Sequence, residues 1–237
     1  VPHGGRPGGM RVPSLEGYDQ TKLNRLEQVY CALLTRHDRN VGRIMDALKD
    51  LGIEKNTIIL WTSDNGDEDS YYKRTKTFDG NGPFRGVKRS LYEGGIRAPL
   101  LAYWPGTIAP NSTSHLQTTQ WDLMPTLADA GGKPITEDMD GISILPTLAD
   151  KPEKQTDREY LYFEFYERGQ QQSVRMGDWK AYRKGGWKGS LELYDLSKDI
   201  AEKTNLAGKN PDIVQRMEEI MKKEHTPHPV WNLEAAN

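Results

Sequence analysis

The sequence predicts an α/β protein: part of a mixed sheet flanked by helices, followed by a small C-terminal antiparallel sheet with a covering helix. Three observations predict this class. A long stretch with apolar residues at helical spacing leads directly into an apolar, β-branched strand. After residue 150 the pattern changes to short aromatic strands separated by glycine turns, and one further helix ends the pattern. We therefore expect two domains, residues 1–150 and 151–237.

The first domain begins with a long amphipathic helix. Apolar residues recur at three- and four-residue spacing over residues 19–51, and Gly52 is placed to end the helix. Residues 57–62 are β-branched and apolar on both faces, which is typical of a strand buried in a parallel sheet. Three further elements are predicted: a strand at 97–104, a short helix at 121–130 and an edge element at 140–148.

The second domain is predicted from its alternation of aromatic strands and turns. The expected strands are 160–166, 173–176, 179–182 and 191–194. A last helix should begin with Asn210 as N-cap and Pro211 as its first residue, and should run to about Lys223. This order of elements gives an antiparallel sheet covered by one helix.

Composition excludes several classes of protein. The 237 residues include 32 Lys and Arg against 34 Asp and Glu, a formal charge of −2, so we expect no nucleic-acid partner. The apolar runs are far shorter than the ~20 residues of a membrane span. Cys31 is the single cysteine, which excludes an internal disulfide and a cysteine-rich zinc site. The chain opens at Val1 in a loop-like glycine and proline stretch, so we expect the natural start to lie upstream.

Two adjacent polar residues follow the first strand. Asp64 and Asn65 offer a carboxylate and an amide oxygen, the donors that hard cations such as Ca²⁺ take. The alternative is an Asx turn, because Asp-Asn-Gly is also turn chemistry. Downstream, residues 80–88 are rich in glycine and carry Arg85 and Lys88, which could donate to an anion that approaches the backbone closely.

These segments together resemble the type I, formylglycine-dependent sulfatases of the alkaline phosphatase superfamily. The matching motifs are Ser-Asp-Asn-Gly at 63–66, Lys88, Glu-Gly-Gly-Ile-Arg-Ala-Pro at 93–99 and Trp-Pro-Gly at 104–106, and the similarity continues at 122–127, 140–143, 174–180 and 193–196. The resemblance implies an alkaline-phosphatase-like fold for residues 1–150 and a small α+β subdomain for 151–237.

The resemblance also implies roles for individual residues. Asp64 and Asn65 would be two ligands of an active-site Ca²⁺, and Lys88 and His3 would be catalytic residues that hold the sulfate group. The alternatives are a solvated surface lysine and a loop histidine without a role. Glu93 and Arg97 are expected to form a structural ion pair or to anchor a turn rather than to act in catalysis.

Further substrate contacts are expected near the same site. Arg85, Lys88 and Arg175 are the candidates for substrate binding. For Arg85 the alternative is a contact with carbonyl groups of the loop. The small domain of such enzymes closes one side of the pocket, so Glu164, Tyr166 and Gln172 are further candidates.

The nucleophile motif of the family, Cys/Ser-x-Pro/Ala-x-Arg, does not occur in the sequence. Cys31 is followed by Ala-Leu-Leu-Thr in the middle of the long helix, so we interpret it as a small helix residue. The formylglycine and the paired aspartates that complete the calcium shell would then belong to an N-terminal half of the same enzyme. We expect this chain to resemble the second half and to be inactive alone.

The predicted function is therefore Ca²⁺-dependent hydrolysis of a sulfate ester, on a sulfated carbohydrate or an aryl sulfate. One alternative is a phosphonate or phosphodiester hydrolase of the same superfamily, because the recognised residues bind a tetrahedral anion beside a metal. The other is a non-catalytic module that binds sulfated glycan. The sequence does not determine the compartment, although the resemblance favours an exported enzyme.

Overall fold

The computed structural model describes residues 11–68, 77–136, 139–230 and 233. The predicted site residue His3 lies outside these ranges. The helices among the described residues are α1 (Arg25–Asp50), α2 (Glu93–Ile96), α3 (Leu123–Ala130), α4 (Leu145–Leu148) and α5 (Pro211–Glu224). The strands are β1 (Ile59–Thr62), β2 (Leu100–Tyr103), β3 (Leu161–Phe165), β4 (Gln171–Met176), β5 (Trp179–Lys184) and β6 (Leu191–Asp195).

The chain divides into two compact units. The first comprises the described residues of Val1–Thr62, Ser70–Phe78 and Leu100–Thr156, and the second those of Ser63–Asp69, Asp79–Pro99 and Asp157–Asn237. The second unit thus combines the C-terminal region with two earlier segments, which carry the predicted residues Asp64, Asn65, Arg85 and Lys88. The division into domains at residue 150 stays a prediction.

The long helix of the first unit begins later than the sequence pattern suggests. Asn24 caps α1: its side-chain oxygen accepts hydrogen bonds from the Leu26 and Glu27 amides at 3.0 and 3.1 Å. The Glu27 carboxylate in turn accepts from the Asn24 amide at 2.8 Å, which completes a capping box. The predicted start at residue 19 is therefore wrong. Gly52 follows the helix end with a φ of 67°, as its predicted role requires.

The strand pairing of the first unit is antiparallel. β1 pairs with β2, with Ile59 opposite Tyr103 and Thr62 opposite Leu100. The expectation of a parallel neighbour is wrong for this pair, and the residues of β1 are half-buried. The reason is that an apolar run of this length does not distinguish the two pairings.

The helix predicted at 121–130 is confirmed as α3, preceded by a 3₁₀ turn at Gln120–Asp122 and followed by Gly131. The predicted edge element at 140–148 is wrong, because residues 145–148 form the short helix α4. Pro146 stands in its first turn, where the fixed φ of proline suits a helix start and its missing amide donor costs no hydrogen bond.

The second unit contains a four-stranded antiparallel sheet in the order β3-β4-β5-β6. Its core consists of Val174, Ala181 and Leu193 from the sheet and of Met217, Ile220 and Met221 from α5, all of them buried. The predicted antiparallel sheet with a covering helix is therefore confirmed, and α5 begins at Pro211 as expected. The Asn210 side chain does not cap the helix but donates to the Leu206 carbonyl at 3.0 Å. None of the described helices combines the length and apolar character that a bilayer span requires.

Candidate active site

The predicted metal ligands lie on backbone that is packed tightly against α2. The Gly66 amide donates to the Gly95 carbonyl at 3.0 Å. A Cβ atom on Gly66 would lie only 1.9 Å from the Gly94 carbonyl oxygen, so no larger residue fits there. Glycine is required at this position because two backbone segments touch.

Asp64 and Asn65, which precede Gly66 in the second unit, carry side-chain oxygen atoms that could bind a cation. Asn65 Nδ2 donates to the Gly66 carbonyl at 2.7 Å, which leaves Oδ1 as the free end of the amide. Ser63 Oγ donates to the Asn65 carbonyl at 3.1 Å and tightens the turn. The Asp64 carboxylate is exposed. Both features suit a hard cation, and both are equally compatible with the Asx-turn alternative.

These two residues would supply only part of a calcium shell, since Ca²⁺ takes about 6–8 oxygens. Within the described ranges, no group of three or more His, Cys, Asp or Glu side chains could hold a metal ion by itself. The donor set therefore fits Ca²⁺ chemically, and the remaining ligands would have to come from other groups.

The loop that carries Lys88 is joined to the loop that carries Asp64 and Asn65. The Lys88 amide donates to the Asp67 carbonyl at 2.8 Å, and the Asn81 side chain bridges the Asp67 amide and the Gly86 carbonyl at 3.0 and 2.8 Å. The Lys88 ammonium lies 3.9 Å from Glu68 Oε2, and its side chain is 18% exposed. Such a long ion pair leaves the ammonium available to a second anion.

Glu93 is the first residue of α2, and its carboxylate oxygens accept hydrogen bonds from three cationic side chains. Arg97 Nε lies at 2.7 Å, which confirms the predicted ion pair, and the structure adds Arg175 Nη1 at 2.9 Å and Lys180 Nζ at 2.8 Å. Burial by itself would raise the pKa of Glu93, but Lys180 and then Arg175 and Arg97 outweigh it and lower the pKa to about 2. Glu93 is therefore ionised at every physiological pH.

Arg175 faces Glu93 rather than open solvent. Besides that ion pair, its Nε donates to the Gly177 carbonyl at 2.9 Å. Burial lowers the pKa of the guanidinium, and Glu93 partly offsets this effect. The predicted role of Arg175 in substrate binding stays a prediction, and the observed contacts give it a structural role.

Arg85 also has partners within the second unit. Its guanidinium lies 3.8 Å from the centre of the Tyr92 ring, and Nη1 donates to the Tyr194 hydroxyl at 2.9 Å and to the Glu202 carbonyl at 2.8 Å. The side chain is still partly exposed. A role in substrate binding stays a prediction for Arg85 as well.

The candidates Glu164, Tyr166 and Gln172 belong to one polar cluster beside α5. The Glu164 carboxylate accepts from the Tyr166 hydroxyl at 2.7 Å, from the Tyr162 hydroxyl and from His225 Nδ1 at 2.7 Å. Gln172 Nε2 donates to the Tyr162 hydroxyl at 2.9 Å. His225 follows the end of α5, and its side chain is only 13% exposed.

Sequence reasoning missed two buried groups next to Glu93. Lys180 on β5 is 0% exposed, and Glu202 is also fully buried. Glu202 Oε2 accepts from the Glu93 amide at 2.8 Å, while Oε1 lies 4.0 Å from Lys180 Nζ. Burial raises the pKa of Glu202 to about 7, although Lys180 opposes that rise. No local pattern marks either residue, because each charge is compensated only by residues far away in sequence.

Comparison with known proteins identifies the family. The sulfatase family pattern matches residues 11–133, and the pattern described as N-sulphoglucosamine sulphohydrolase, C-terminal, matches residues 84–226. The chain therefore belongs to the sulfatase family.

Individual relatives agree with this assignment. A sulfatase of Formosa agariphila is 33% identical over 233 residues, covering 85% of this chain and 41% of its own length. N-acetylgalactosamine-6-sulfatase of Mus musculus is 35% identical, covering 72% and 32%, and arylsulfatase A of Homo sapiens is 33% identical, covering 77% and 40%. The chain thus spans about two fifths or less of the length of these relatives.

Solved structures have the same fold. Ps i-CgsB in complex with k-i-k-neocarrahexaose superposes with a TM-score of 0.75 at 26% identity, covering 90% of this chain and 47% of that one. BT4656 in complex with D-glucosamine-2-N,6-O-disulfate gives a TM-score of 0.68 at 27% identity, covering 83% and 39%. These similarities confirm the predicted alkaline-phosphatase-like α/β fold.

Proposed function

We propose that this chain carries the calcium- and sulfate-binding edge of a sulfatase that hydrolyses sulfate esters of a carbohydrate or an aryl alcohol. The observation that carries the proposal is the joining of two loops. Asp64 and Asn65 sit on one loop with their oxygens available, and the Lys88 loop is hydrogen-bonded to it through Asp67. The hydrogen bond between the two loops supports the proposal that these residues act together on a sulfate group beside a metal.

Each of these residues has a defined task in the proposed reaction. The Asp64 carboxylate and the Asn65 amide oxygen would hold Ca²⁺, which neutralises negative charge on the sulfate oxygens when it is bound. The Lys88 ammonium would donate to a sulfate oxygen. A unit charge about 4 Å from an anionic oxygen gains ~4 kcal/mol at an effective dielectric near 20. His3 is proposed as a second donor to the same group.

The substrate class is supported by the names of relatives. These include an N-acetylgalactosamine-6-sulfatase and an arylsulfatase. One structural neighbour is bound to a sulfated glucosamine. We therefore propose a sulfated small molecule or glycan as the substrate of the enzyme to which this chain belongs.

We further propose that the N-terminal half of such a sulfatase is the partner of this chain and supplies the formylglycine nucleophile and further calcium ligands. Exposed apolar side chains on the first unit support this: Ile44 of α1 is 57% exposed, Leu101 of β2 is 63% and Met124 of α3 is 66%. Side chains of this kind are typical of a surface that another polypeptide segment covers.

The decisive experiment measures sulfate-ester hydrolysis by the enzyme that contains this chain, with Lys88→Ala and the control Lys198→Ala. Lys198 is a highly exposed lysine of the same unit that pairs with Asp195. We expect Lys88→Ala to lower kcat/KM by about 100-fold, since loss of one such donor costs ~3 kcal/mol in the barrier. Lys198→Ala should change it by less than about twofold. A Lys88→Ala enzyme that keeps wild-type kcat/KM would refute the role of Lys88.

Calcium binding is tested separately by titration calorimetry. We expect Asp64→Ala to abolish a Ca²⁺ heat that the wild-type enzyme shows. Faster hydrolysis of an aryl phosphate diester than of the matched aryl sulfate would replace the proposal by a phosphodiesterase of the same fold. Binding of a sulfated oligosaccharide that survives both Asp64→Ala and calcium removal would replace it by a non-catalytic glycan-binding module.

A further inference from the structure

The helical turn α2 supports both loops of the candidate site. On one side the Gly66 amide donates to Gly95, and the Gly94 carbonyl oxygen fills the place of a Gly66 Cβ atom. On the other side the Gly94 amide donates to the Arg85 carbonyl at 2.7 Å, and a Cβ on Gly95 would lie 2.1 Å from the Ser90 carbonyl oxygen. Any movement of α2 must therefore move both loops.

The position of α2 is set in turn by the sheet. Arg175 on β4 and Lys180 on β5 are directly opposite each other in the strand register, and both donate to the Glu93 carboxylate. Lys180 contacts Oε1 and Arg175 contacts Oε2, so each carboxylate oxygen is held by a different strand. The Glu93 backbone amide donates to the Glu202 carboxylate, which holds Glu93 at a second point.

We propose that Glu93 is a positioning residue: held by Lys180 and Arg175, it places the loops of Asp64, Asn65 and Lys88 relative to β4 and β5. The inference rests on the proposed function in one respect, namely that these three residues bind the cation and the sulfate group. Glu93 itself touches neither. Its carboxylate is 3% exposed and its oxygens are occupied by Lys180, Arg175 and Arg97.

The test compares two Glu→Gln variants that each remove a carboxylate from a buried cation of β5. Glu93→Gln deprives Lys180 of its close partner, and Glu218→Gln deprives Arg183 of its partner on α5. Both variants should lower the stability of the second unit. They differ in that Glu93 belongs to α2, which contacts the site loops, whereas Glu218 belongs to the covering helix α5.

Amide hydrogen exchange separates positioning from stability. The Gly66 amide donates to Gly95 of α2, and the Lys88 amide donates to Asp67 of the other site loop. For each of these two amides we divide the exchange rate by the mean rate of β4, β5 and β6. We expect this ratio to be about tenfold higher in Glu93→Gln than in the wild type. We expect Ca²⁺ affinity, measured by calorimetry, to weaken by about tenfold as well. In Glu218→Gln the relative exchange rates of the two amides and the Ca²⁺ affinity should both stay at their wild-type values.

The milder variant Glu93→Asp keeps the proposal testable should Glu93→Gln fail to fold. It retains the charge but is too short to hold both strands, and it should accelerate Gly66 and Lys88 exchange in the same selective way. Uniform acceleration across the unit in the folded Glu93 variants would overturn the positioning role. Selective acceleration in an enzyme whose wild type binds no Ca²⁺ would retain the positioning of the loops and refute the calcium site alone.

Discussion

The buried carboxyl group of Glu202 should make the second unit less stable as the pH rises from about 5 to 7. Glu202 is fully buried, and burial raises its pKa from the ordinary 4.5 to about 7. Between these two values the folded state binds more protons than the unfolded state, so the free energy of unfolding falls as the pH increases. At 1.36 kcal/mol per pKa unit, the loss from this group amounts to about 3 kcal/mol.

Glu93 acts in the opposite direction at lower pH. Its pKa is lowered to about 2, so its ion pairs contribute fully above the ordinary pKa of 4.5 and are lost as the pH falls toward 2. The two adjacent carboxyl groups together therefore favour a stability maximum of the second unit near pH 4.5 to 5.

The perturbation is Glu202→Gln, which imitates the protonated carboxyl group and keeps an oxygen to accept from the Glu93 amide. At pH 5 the variant should be about as stable as the wild type. At pH 8 it should be more stable by about 3 kcal/mol, because no buried carboxylate has to form. Urea unfolding at each pH, followed by hydrogen exchange of peptides from β4 and β5, measures the stability of this unit specifically.

Glu219→Gln serves as the control, since Glu219 is an exposed residue of α5 in the same unit. This variant should keep the pH slope of the wild type. The reasoning is refuted if Glu202→Gln retains the same decline in stability between pH 5 and pH 8. It is also refuted if the wild type shows no such decline.

Three further predictions concern packing and capping. Gly66→Ala should destabilise the second unit by about 3 kcal/mol or more, because its Cβ would meet the Gly94 carbonyl, whereas Gly208→Ala, with nothing within 4 Å, should be nearly neutral; denaturant midpoints of both variants compare the two sites. Leu193→Ala removes a fully buried core side chain and should cost about 2–5 kcal/mol in the same assay; a loss below about 1 kcal/mol would contradict the assigned core. Asn24→Ala removes both cap hydrogen bonds of α1 and should cost about 1 kcal/mol, with more rapid amide exchange in the first turn of α1 as its specific sign.

Local patterns predicted the elements well where they contain their own boundary signals. Gly52 ends α1, Gly131 follows α3 and Pro211 begins α5, as the sequence indicates. The start of α1 was missed because the apolar spacing extends ahead of Asn24, while the capping box decides where the helical hydrogen bonds begin. Pairing direction was missed for β1 because side-chain polarity reports burial, and burial does not define the partner strand.

The sequence by itself determined the family and most of the elements, with α2 and α4 as exceptions. It also predicted the pair Glu93 and Arg97, which lie four residues apart. Only the tertiary structure decided that Arg175, Lys180 and Glu202 converge on Glu93, from positions 82 to 109 residues further along the chain. The physical reason is that a buried charge must be compensated wherever the fold brings a partner, and no local spacing encodes that meeting. The same holds for Gly66. Glycine is required there because the backbone of Gly94, almost thirty residues later in the chain, occupies the space of a Cβ atom.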